Sequence, residues 1–401
     1  MSILKKKMAA YDLPQKVSKL GLYPFFRIIE SEQDTVVTIG GKRVLMFGSN
    51  SYLGLTNHPR LKEASKAAID KYGSGCAGSR FLNGTLDLHI ELEEKLAKFV
   101  GKEGALVFST GFQVNLGVLS SIPGRHDYII MDELDHACII DGSRLSFAKV
   151  LKYKHNDMES LEKVLSKTKQ DALKIIAVDG VFSMEGDLAK LPEITALSKK
   201  YNANIMVDDA HGLGVMGELG RGTADHFGVT DNVDLIMGTF SKSLASIGGF
   251  IAADDVTINF LKHNARSLIF SASIAPANAA SVIAALDLMQ EEPERIKKLW
   301  DNTHYAMDGL RAAGFDIGHT VTPIIPIYVR DDFKTFKLTK RLLEEGVFVN
   351  PVVSPAVAST SSLIRYSLMA THSIEQIEKS IQLITKIAKE LDIIESAKSI
   401  A

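Results

Sequence analysis

Residues 233–242 read VDLIMGTFSK, an apolar run that leads through small and hydroxyl residues to Lys242. A surface lysine seldom follows a buried strand directly in this way. A lysine that binds a carbonyl cofactor, in contrast, needs a rigid position and surroundings that lower its pKa. The segment therefore predicts a buried strand over Val233–Met237 and a Schiff-base lysine at Lys242.

Similar apolar runs alternate with helical patterns on both sides of this segment, from about Met46 to Ala280. That alternation is typical of an α/β fold around a mostly parallel sheet, and continuous apolar runs predict strands buried on both faces. The predicted strands are Gly104–Phe108, Tyr128–Met131, Lys174–Val178, Asn204–Val207, Val233–Met237 and Gly248–Ala252.

The pattern changes near residue 291, where a charged amphipathic helix is predicted to begin. We predict an N-terminal arm over residues 1–45, a large domain over 46–290 and a smaller α+β domain over 291–401. In the last of these, the predicted helices are 292–313, 336–345 and 373–391, and the predicted strands are 323–329, 346–353 and 363–367.

Composition limits the class of protein. The chain has 401 residues, a net charge of −2 and 46% hydrophobic residues, which suits a globular fold with a large core and disfavours a nucleic-acid partner. No apolar run approaches the roughly eighteen residues of a membrane span, and no signal peptide is recognisable. We expect a cytoplasmic location, with at most peripheral contact of the short basic stretch Lys5–Lys7 with the inner face of the membrane. Cys76 and Cys138 are expected to be buried small residues rather than catalytic thiols.

The glycine-rich segment Gly73–Gly78 (GSGCAG) fits the G-x-G-x-x-G pattern of dinucleotide sites. Such a fingerprint must follow a strand and open a helix, whereas the preceding Leu61–Tyr72 predicts a helix. We therefore reject dinucleotide binding, and the segment stays either a loop bordering an active site or a structural turn.

Polar side chains follow four of the predicted strands. Because the carboxyl ends of parallel strands meet at one edge of a sheet, these side chains are expected to converge there. Each has a simpler explanation when taken singly: a helix cap for Asp208, a structural histidine for His136. Metal binding is a third reading of Asp208-Asp209-Ala210-His211. The converging residues are His136, Ser183, Asp208, His211 and Lys242.

The turn Ser109–Gln113 joins a predicted strand to a predicted helix. Backbone N–H groups at the start of a helix can bind phosphate, helped by the helix dipole. An ordinary strand-to-helix turn explains the same residues, so Gly111 and Phe112 are a candidate phosphate site only in combination with the other strand ends.

One ligand needs all of these groups. Pyridoxal phosphate requires an amine for its aldehyde, a carboxylate for its ring nitrogen, donors for its phenolic oxygen and an anion site for its phosphate. Lys242, Asp208, His211, His136 and the turn at Gly111 can meet these needs. An unrelated hydrolase is disfavoured, because the sequence has neither a G-x-S-x-G elbow nor an H-E-x-x-H helix.

Over nearly its full length the chain resembles the α-oxoamine synthases, a family of fold-type I pyridoxal-phosphate enzymes. Three stretches carry the resemblance: Gly48–Leu55 (GSNSYLGL), Asp208–Gly214 (DDAHGLG) and Gly238–Lys242 (GTFSK). The resemblance implies an aspartate aminotransferase-like fold with a mostly parallel central sheet and a smaller C-terminal α+β domain.

The resemblance also implies catalytic roles. Lys242 would form the Schiff base and later remove the substrate Cα proton, while Asp208 would pair with the ring nitrogen. His136 would stack on the ring, and His211, with Ser183 nearby, would donate to the phenolic oxygen.

Phosphate binding is implied for a further set of residues, two of which would reach the phosphate of a neighbouring subunit and so make the active unit a homodimer. Ser271 is left as an alternative to Ser273 for that contact. The set is Gly111, Phe112, Thr239, Ser241, Ala272 and Ser273.

Arg365 has an argument of its own. It lies between Ile364 and Tyr366 in an apolar run, where a solvated arginine is not expected, and its planar fork suits a carboxylate. An internal salt bridge is the alternative. The resemblance implies that Arg365 holds the carboxylate of an amino acid substrate, with Asn50 and Ser79 lining the same pocket.

Further matches at Gly73–Leu86, Asp141–Phe147, Leu235–Ser246 and Val347–Ala356 resemble the serine-using members of the family. They predict the decarboxylative condensation of L-serine with palmitoyl-CoA or another long-chain acyl-CoA. Glycine-using or alanine-using members, such as 2-amino-3-ketobutyrate ligase and 8-amino-7-oxononanoate synthase, are the alternative. A non-catalytic scaffold subunit is disfavoured, since Lys242 and its partners are all present.

Overall fold

A computed structural model describes residues 1–354 and 356–395. Its strands are β1 Val36–Ile39, β2 Lys42–Met46, β3 Gly104–Phe108, β4 Tyr128–Asp132, β5 Lys149–Tyr153, β6 Lys174–Asp179, β7 Asn204–Asp208, β8 Leu235–Thr239, β9 Gly249–Ala253, β10 Ile324–Tyr328, β11 Val347–Phe348, β12 Asn350–Val352 and β13 Leu363–Ser367. Its helices are α1 Ile3–Ala9, α2 Leu13–Lys19, α3 Pro59–Tyr72, α4 Asp87–Val100, α5 Gly111–Ser121, α6 Ala137–Leu145, α7 Met158–Leu165, α8 Leu191–Tyr201, α9 Thr223–His226, α10 Asp255–Asn264, α11 Arg266–Ile269, α12 Pro276–Glu291, α13 Glu294–Ala312, α14 Asp332–Glu344 and α15 Ile374–Glu390.

The central sheet has seven strands in the order β3-β9-β8-β7-β6-β4-β5. Strands β8, β7, β6, β4 and β5 run parallel, and β9 is antiparallel to both of its neighbours. The predicted mostly parallel α/β fold is therefore confirmed. Because β4, β6, β7 and β8 run parallel, their carboxyl ends lie at one edge of the sheet.

Both faces of this sheet are buried, as the continuous apolar runs predict. On β6, Ile176 and Val178 belong to one hydrophobic cluster, whereas Ile175 and Ala177 belong to another. Successive strand residues point to opposite faces, so each face needs its own apolar cover. The helices supply that cover.

Two smaller sheets lie outside the central one. In the first, β13 is the middle strand and pairs antiparallel with β10 and β12, which places Arg365 opposite Pro326 and Asn350. In the second, β2 pairs with β1 and, in parallel, with β11. The pairing of β2 with β11 ties the N-terminal segment to the C-terminal part of the chain. The predicted boundaries near residues 45 and 290 stay a prediction, and residues 396–401 of the predicted small domain lie outside the described residues.

Some element bounds differ from the predicted ones for local reasons. β8 begins at Leu235 rather than Val233, because the Val233 carbonyl accepts a hydrogen bond from Lys102 Nζ (2.6 Å). Helix α14 begins four residues before the predicted start, since Asp331 caps its N-terminus by accepting from Lys334 N (2.7 Å). Strand β5 was not predicted: it lies at the sheet edge and its side chains are mostly exposed.

Candidate active site

A cavity of about 360 Å³ lies at the carboxyl edge of the central sheet, and we call it the sheet-edge cavity. Most of the predicted site residues line it. They are Gly111, Phe112, His136, Ser183, Asp208, His211, Thr239, Ser241 and Lys242. A larger open groove of about 660 Å³ lies among α3, α4 and α12, but the strand-end side chains do not reach it. The smaller cavity is therefore the candidate active site.

Lys242 follows β8 and projects its amine into this cavity. Burial lowers the pKa of Lys242 to about 8, helped by the Arg365 charge and opposed by the Asp208 and Asp179 carboxylates. A lysine with such a pKa is partly neutral near pH 7 to 8. It can therefore act as a nucleophile and as a proton acceptor.

Asp208 is the last residue of β7 and is buried. Its Oδ2 accepts a hydrogen bond from Asn115 Nδ2 (2.6 Å), and its Oδ1 accepts one from the backbone N–H of Ala210 (3.0 Å). Asn115 is fully buried on α5. These donors hold the carboxylate in one orientation next to the cavity.

His136 caps the N-terminus of α6, and its Nδ1 accepts a hydrogen bond from Cys138 N (3.3 Å). An accepting Nδ1 leaves the ring proton on Nε2 when the ring is neutral. Burial lowers the pKa of His136, although the Asp208 charge opposes this shift. The backbone of His136 is fixed by Asp179, whose Oδ2 accepts from His136 N (3.1 Å).

Cys138 lines the cavity as well and is buried as predicted, whereas the same prediction is wrong for Cys76, which is only half-buried. Its sulfur lies 2.7 Å from His136 Nδ1 and 2.9 Å from Asn115 Nδ2. Burial raises the pKa of this thiol, and the Asp208 and Asp179 charges act in the same direction. Cys138 is therefore a packing partner of the site in its neutral form and not a thiolate nucleophile.

Arg365 is buried on β13 and has four hydrogen bonds but no ion pair within residues 1–354 and 356–395. Nε donates to Ser183 O (2.7 Å), Nη1 to Asn50 Oδ1 (2.8 Å) and Ser367 Oγ (2.8 Å), and Nη2 to Tyr52 Oη (3.3 Å). The internal salt bridge, one of the two readings from sequence, is thus not found in the described chain. A buried guanidinium without an anion is costly unless an anionic ligand joins it.

The start of α5 provides the candidate anion site. Thr110 caps the helix by accepting from Gln113 N (3.2 Å), which leaves the N–H groups of Gly111 and Phe112, both lining the cavity, as donors for an anion. Gly111 packs so closely on β8 that a Cβ there would lie 2.7 Å from Thr239 Oγ1. Thr239 Oγ1 is also 3.1 Å from Ser241 Oγ. Two hydroxyls and a helix start therefore surround one spot, which suits a phosphate.

Five predicted site residues do not line the sheet-edge cavity: Asn50 and Arg365, which are hydrogen-bonded to each other, and Ser79, Ala272 and Ser273. Ser273 donates from its N–H and from Oγ to Gly78 O (3.0 and 3.1 Å). Ser271 Oγ accepts from Gln113 Nε2 (3.1 Å). Ser79 Oγ is buried and finds no hydrogen-bond partner among the described residues. Their roles stay predictions.

Sequence reasoning assigned no role to three residues that contact the site: Tyr52, Asn115 and Asp179. The sequence offered a signal for Tyr52, since this residue belongs to the GSNSYLGL stretch that carries the family resemblance. In the structure its hydroxyl lies 2.7 Å from His211 Nδ1. Asn115 lies one helical turn after Gly111 on the predicted helix, a spacing that places both on one face. Nothing in the sequence indicates that this amide meets Asp208.

The residues around the cavity fit pyridoxal phosphate. A partly neutral amine, a buried carboxylate, two neutral histidines and a helix start lined by hydroxyls all face one space. Each matches one of the groups that the cofactor carries. A side chain at position 111 would clash with Thr239, so this close approach of the α5 start to β8 requires glycine.

Behind the cavity, His155 bridges two carboxylates and braces the strand-end loops. Its Nδ1 lies 3.1 Å from Asp132 Oδ1 and its Nε2 lies 3.0 Å from Asp187 Oδ2. Burial lowers the pKa of His155, but the hydrogen bonds and charges of the two carboxylates outweigh it and raise the pKa to about 10. The ring is therefore a cation at neutral pH.

We expect His155→Gln to lower the free energy of unfolding by about 3 kcal/mol at pH 7, because Asp132 is fully buried and would lose its cation. Because the pKa of His155 is higher in the folded protein than in the unfolded chain, the charged bridge stabilises the fold fully below about pH 6.5. This stabilisation is lost as the pH rises through about 10. The free energies of unfolding of the wild-type protein and of His155→Gln, measured with urea, should therefore converge near pH 11. His263→Gln, an exposed histidine bonded to its own helix, is the control and should change little. An equal effect of His155→Gln at all pH values would contradict a charged bridge.

Comparison with known proteins adds to this geometry. The family model described as aminotransferase class I and II matches residues 42–384. A serine palmitoyltransferase of Bacteroides ovatus is 61% identical over 98% of this chain and 100% of its own length, and one of Sphingobacterium spiritivorum is 58% identical over 97% and 98%. An 8-amino-7-oxononanoate synthase of Treponema denticola is 42% identical over 98% of both.

Solved structures agree with these relatives. A serine palmitoyltransferase from S. paucimobilis has a TM-score of 0.95 and 33% identity, covering 98% of this chain and 100% of that one. A high-resolution structure of SPT that contains PLP has the same TM-score, identity and coverage.

Proposed function

This chain belongs to the aminotransferase class I and II family and, within it, to the α-oxoamine synthases, and from that membership we propose that it condenses L-serine with palmitoyl-CoA. The products are 3-ketodihydrosphingosine, coenzyme A and CO2. A bond forms between the serine Cα and the thioester carbonyl carbon, the C–S bond breaks, and the serine carboxylate leaves as CO2. The cofactor is pyridoxal phosphate.

One observation carries the chemical part of the proposal. The Lys242 amine, with its lowered pKa, and the buried Asp208 carboxylate face the same cavity, beside an Arg365 that has no ion-pair partner in the described chain. The amine can bind the aldehyde of the cofactor and the carboxylate its ring nitrogen, while the guanidinium without an ion pair can bind the carboxylate of an amino acid. Aminotransferase-family chemistry needs all three together.

Pyridoxal phosphate, when bound, supplies an aldehyde that reacts with amines and a ring that withdraws electrons from the substrate Cα. Asp208 would keep the ring nitrogen protonated, and its fixed orientation comes from Asn115 and Ala210. The first turn of α5, with Thr239 and Ser241, would bind the phosphate. His211 would donate to the phenolic oxygen.

We assign substrate orientation to Arg365 and proton transfer to Lys242. Four of the five N–H groups of Arg365 are held by Ser183, Asn50, Ser367 and Tyr52, so the one left on Nη2 would bind the serine carboxylate and orient it. Lys242 Nζ would then take the Cα proton, and its lowered pKa suits a base near pH 8. His136, with its proton on Nε2, would donate to the substrate from the ring face.

A homodimer is part of the proposal. Three large apolar side chains are exposed, of which Ile247 (51%) lines the cavity and Leu82 (78%) and Phe270 (74%) belong to the segments joined by the Ser273–Gly78 contact. Exposed apolar residues in this number are typical of a protein interface. Ser273 is bonded to the loop that contains Gly78 and Ser271 to Gln113 of α5, so a partner that covers this surface would meet Ala272 and Ser273.

We propose at most a peripheral contact of this protein with the surface of a membrane. Within residues 1–354 and 356–395, helices that combine the length and the apolar character needed to cross a bilayer are absent. Helix α1 exposes Leu4 and Met8 beside Lys5–Lys7, a combination that favours an anionic lipid surface.

A matrix of amino acids and acyl-CoA substrates tests the function. We expect L-serine with palmitoyl-CoA to give a kcat/KM at least about 10²-fold above glycine or L-alanine with acetyl-CoA or pimeloyl-CoA, since a site that hydrogen-bonds a hydroxyl rejects substrates that lack it. Coenzyme A release and CO2 release are measured together. If glycine equals serine, or acetyl-CoA exceeds palmitoyl-CoA, the substrate assignment is wrong while the cofactor chemistry stands.

A further inference from the structure

Tyr52 lies between Arg365, to which we assign substrate binding, and His211, to which we assign cofactor binding. It follows β2 in the loop that contains Asn50, and its side chain is almost fully buried. Its backbone is anchored by Ala370, whose N–H donates to Tyr52 O (2.7 Å). The phenol ring meets the edge of the His211 ring, with 6.1 Å between the ring centroids.

The hydroxyl of Tyr52 has two partners within the described part of the chain, and they differ in what they can do. Arg365 Nη2, at 3.3 Å, can only donate. His211 Nδ1, at 2.7 Å, can donate or accept, depending on the tautomer. Because Tyr52 Oη accepts from Arg365, its own proton is available for His211.

The position of one proton follows. If Tyr52 donates to His211 Nδ1, that nitrogen carries no proton, and a neutral ring must carry its proton on Nε2. In the opposite arrangement, Tyr52 Oη would accept twice and its buried proton would have no acceptor, at a cost in free energy. Burial, and then the charges of Lys242, Arg365 and His136, lower the pKa of His211 well below its usual value, so the ring is neutral.

Burial also raises the pKa of Tyr52, although the Arg365 charge opposes it, so the hydroxyl keeps its proton across the working pH range. Arg365 is a permanent cation and cannot reverse its role. All three groups are therefore fixed in one order of donors and acceptors, from Arg365 through Tyr52 to His211.

We infer that Tyr52 is a positioning residue: its hydroxyl relays a hydrogen bond from Arg365 to His211, fixes the His211 proton on Nε2, and so couples carboxylate binding at Arg365 to hydrogen-bond donation into the cavity. The second half of this coupling rests on the proposed function, in which the acceptor is the phenolic oxygen of pyridoxal phosphate. The tautomer itself does not depend on it.

The first test needs neither substrate nor cofactor. Nitrogen NMR of ¹⁵N-histidine-labelled apo-protein reports which ring nitrogen carries the proton, and the variant His211→Gln identifies the His211 signals. We expect Nδ1 of wild-type His211 to be unprotonated and Nε2 to be protonated. A protonated Nδ1 in the wild-type protein would overturn the relay.

The second test uses Tyr52→Phe in the holoenzyme, with Tyr366→Phe as the matched control. Tyr366 is equally buried, but its hydroxyl contacts Ser380 rather than the site. With Tyr52→Phe, His211 should populate both tautomers. The pH titration of the lysine-linked cofactor absorbance should then move up by about one unit, because the phenolic oxygen loses part of its donor. The apparent Kd for L-serine, measured from the same absorbance, should rise about tenfold.

Tyr366→Phe should leave the titration and the serine Kd unchanged, whatever it does to stability. An unchanged titration in Tyr52→Phe, or an equal shift in both variants, would contradict a positioning role. If the NMR result holds while the substrate matrix fails, the relay stands and the proposed function falls. If Tyr52→Phe does not fold, the wild-type NMR measurement still decides the matter.

Discussion

Lys242→Ala is expected to remove the absorbance of lysine-linked cofactor and to lower turnover by about 10⁴-fold. The change deletes the amine to which we assign both the anchoring of the cofactor and the removal of the Cα proton, so two functions should fail together. Absorption spectra of the purified protein with added pyridoxal phosphate, and coenzyme A release with L-serine and palmitoyl-CoA, measure the two effects. A retained lysine-linked spectrum would mean that another lysine carries the cofactor.

Lys102→Met is the matched control for this prediction. Lys102 lies at the opposite end of β8, where its amine donates to the carbonyls of Thr230 (2.8 Å) and Val233 (2.6 Å). Its loss should affect stability and leave the cofactor spectrum unchanged.

The pKa of Lys242 adds a dependence on pH. The neutral amine is the form that reacts with an aldehyde, and burial lowers the pKa of Lys242 to about 8. Covalent uptake of pyridoxal phosphate by the wild-type apo-protein should therefore speed up to about pH 8 and level off above it. A rate that keeps rising to pH 10 would indicate an ordinary exposed lysine.

The sequence was sufficient for six of the seven strands of the central sheet and for the groups at their carboxyl ends. Buried parallel strands are continuous apolar runs, and polar residues directly after them must meet where the strands end. For this reason His136, Ser183, Asp208, His211 and Lys242 could be brought together without any structure. What the sequence could not reveal is the set of contacts between them.

Those contacts depend on residues that are distant along the chain. Tyr52 and Arg365 are 313 positions apart, yet their side chains meet. Asn115 binds Asp208 across 93 positions. Neither pair leaves a periodic pattern, because each depends on how helices and loops pack on the sheet. The edge strand β5 was missed for a different reason: its mostly exposed side chains lack the apolar run that identifies a buried strand.

The cavity also limits what one subunit can explain. Ala272 and Ser273 do not line it, and their hydrogen bonds join the Gly78 loop and Ser109 of the same chain. If these residues bind phosphate at all, they must do so in the cavity of a partner. The roles assigned to them therefore depend on the homodimer in a way that the role of Lys242 does not.

Asp208→Asn is expected to retain the lysine-linked cofactor and to lower kcat by about 10³-fold, the effect of losing one oriented charge in a site from which water is excluded. The amide keeps the shape of the carboxylate, and its oxygen can still accept from Asn115, so the fold around it should persist. The variant loses the negative charge that would keep the ring nitrogen protonated, together with the hydrogen bond that Oδ1 accepts from Ala210 N.

The adjacent acid provides a control that separates charge at the ring from charge in the core. Asp209 is also buried, but it accepts from Thr223 N (2.6 Å) and Thr223 Oγ1 (3.0 Å) and does not line the cavity. Burial raises the pKa of Asp209 to about 7, so this side chain is partly protonated already at neutral pH. Asp209→Asn should therefore keep kcat within about tenfold of wild type and affect mainly the unfolding midpoint. Equal losses of kcat in the two variants would show that the strand end needs its carboxylates for structure. The assignment of Asp208 to the ring nitrogen of the cofactor would then have no support.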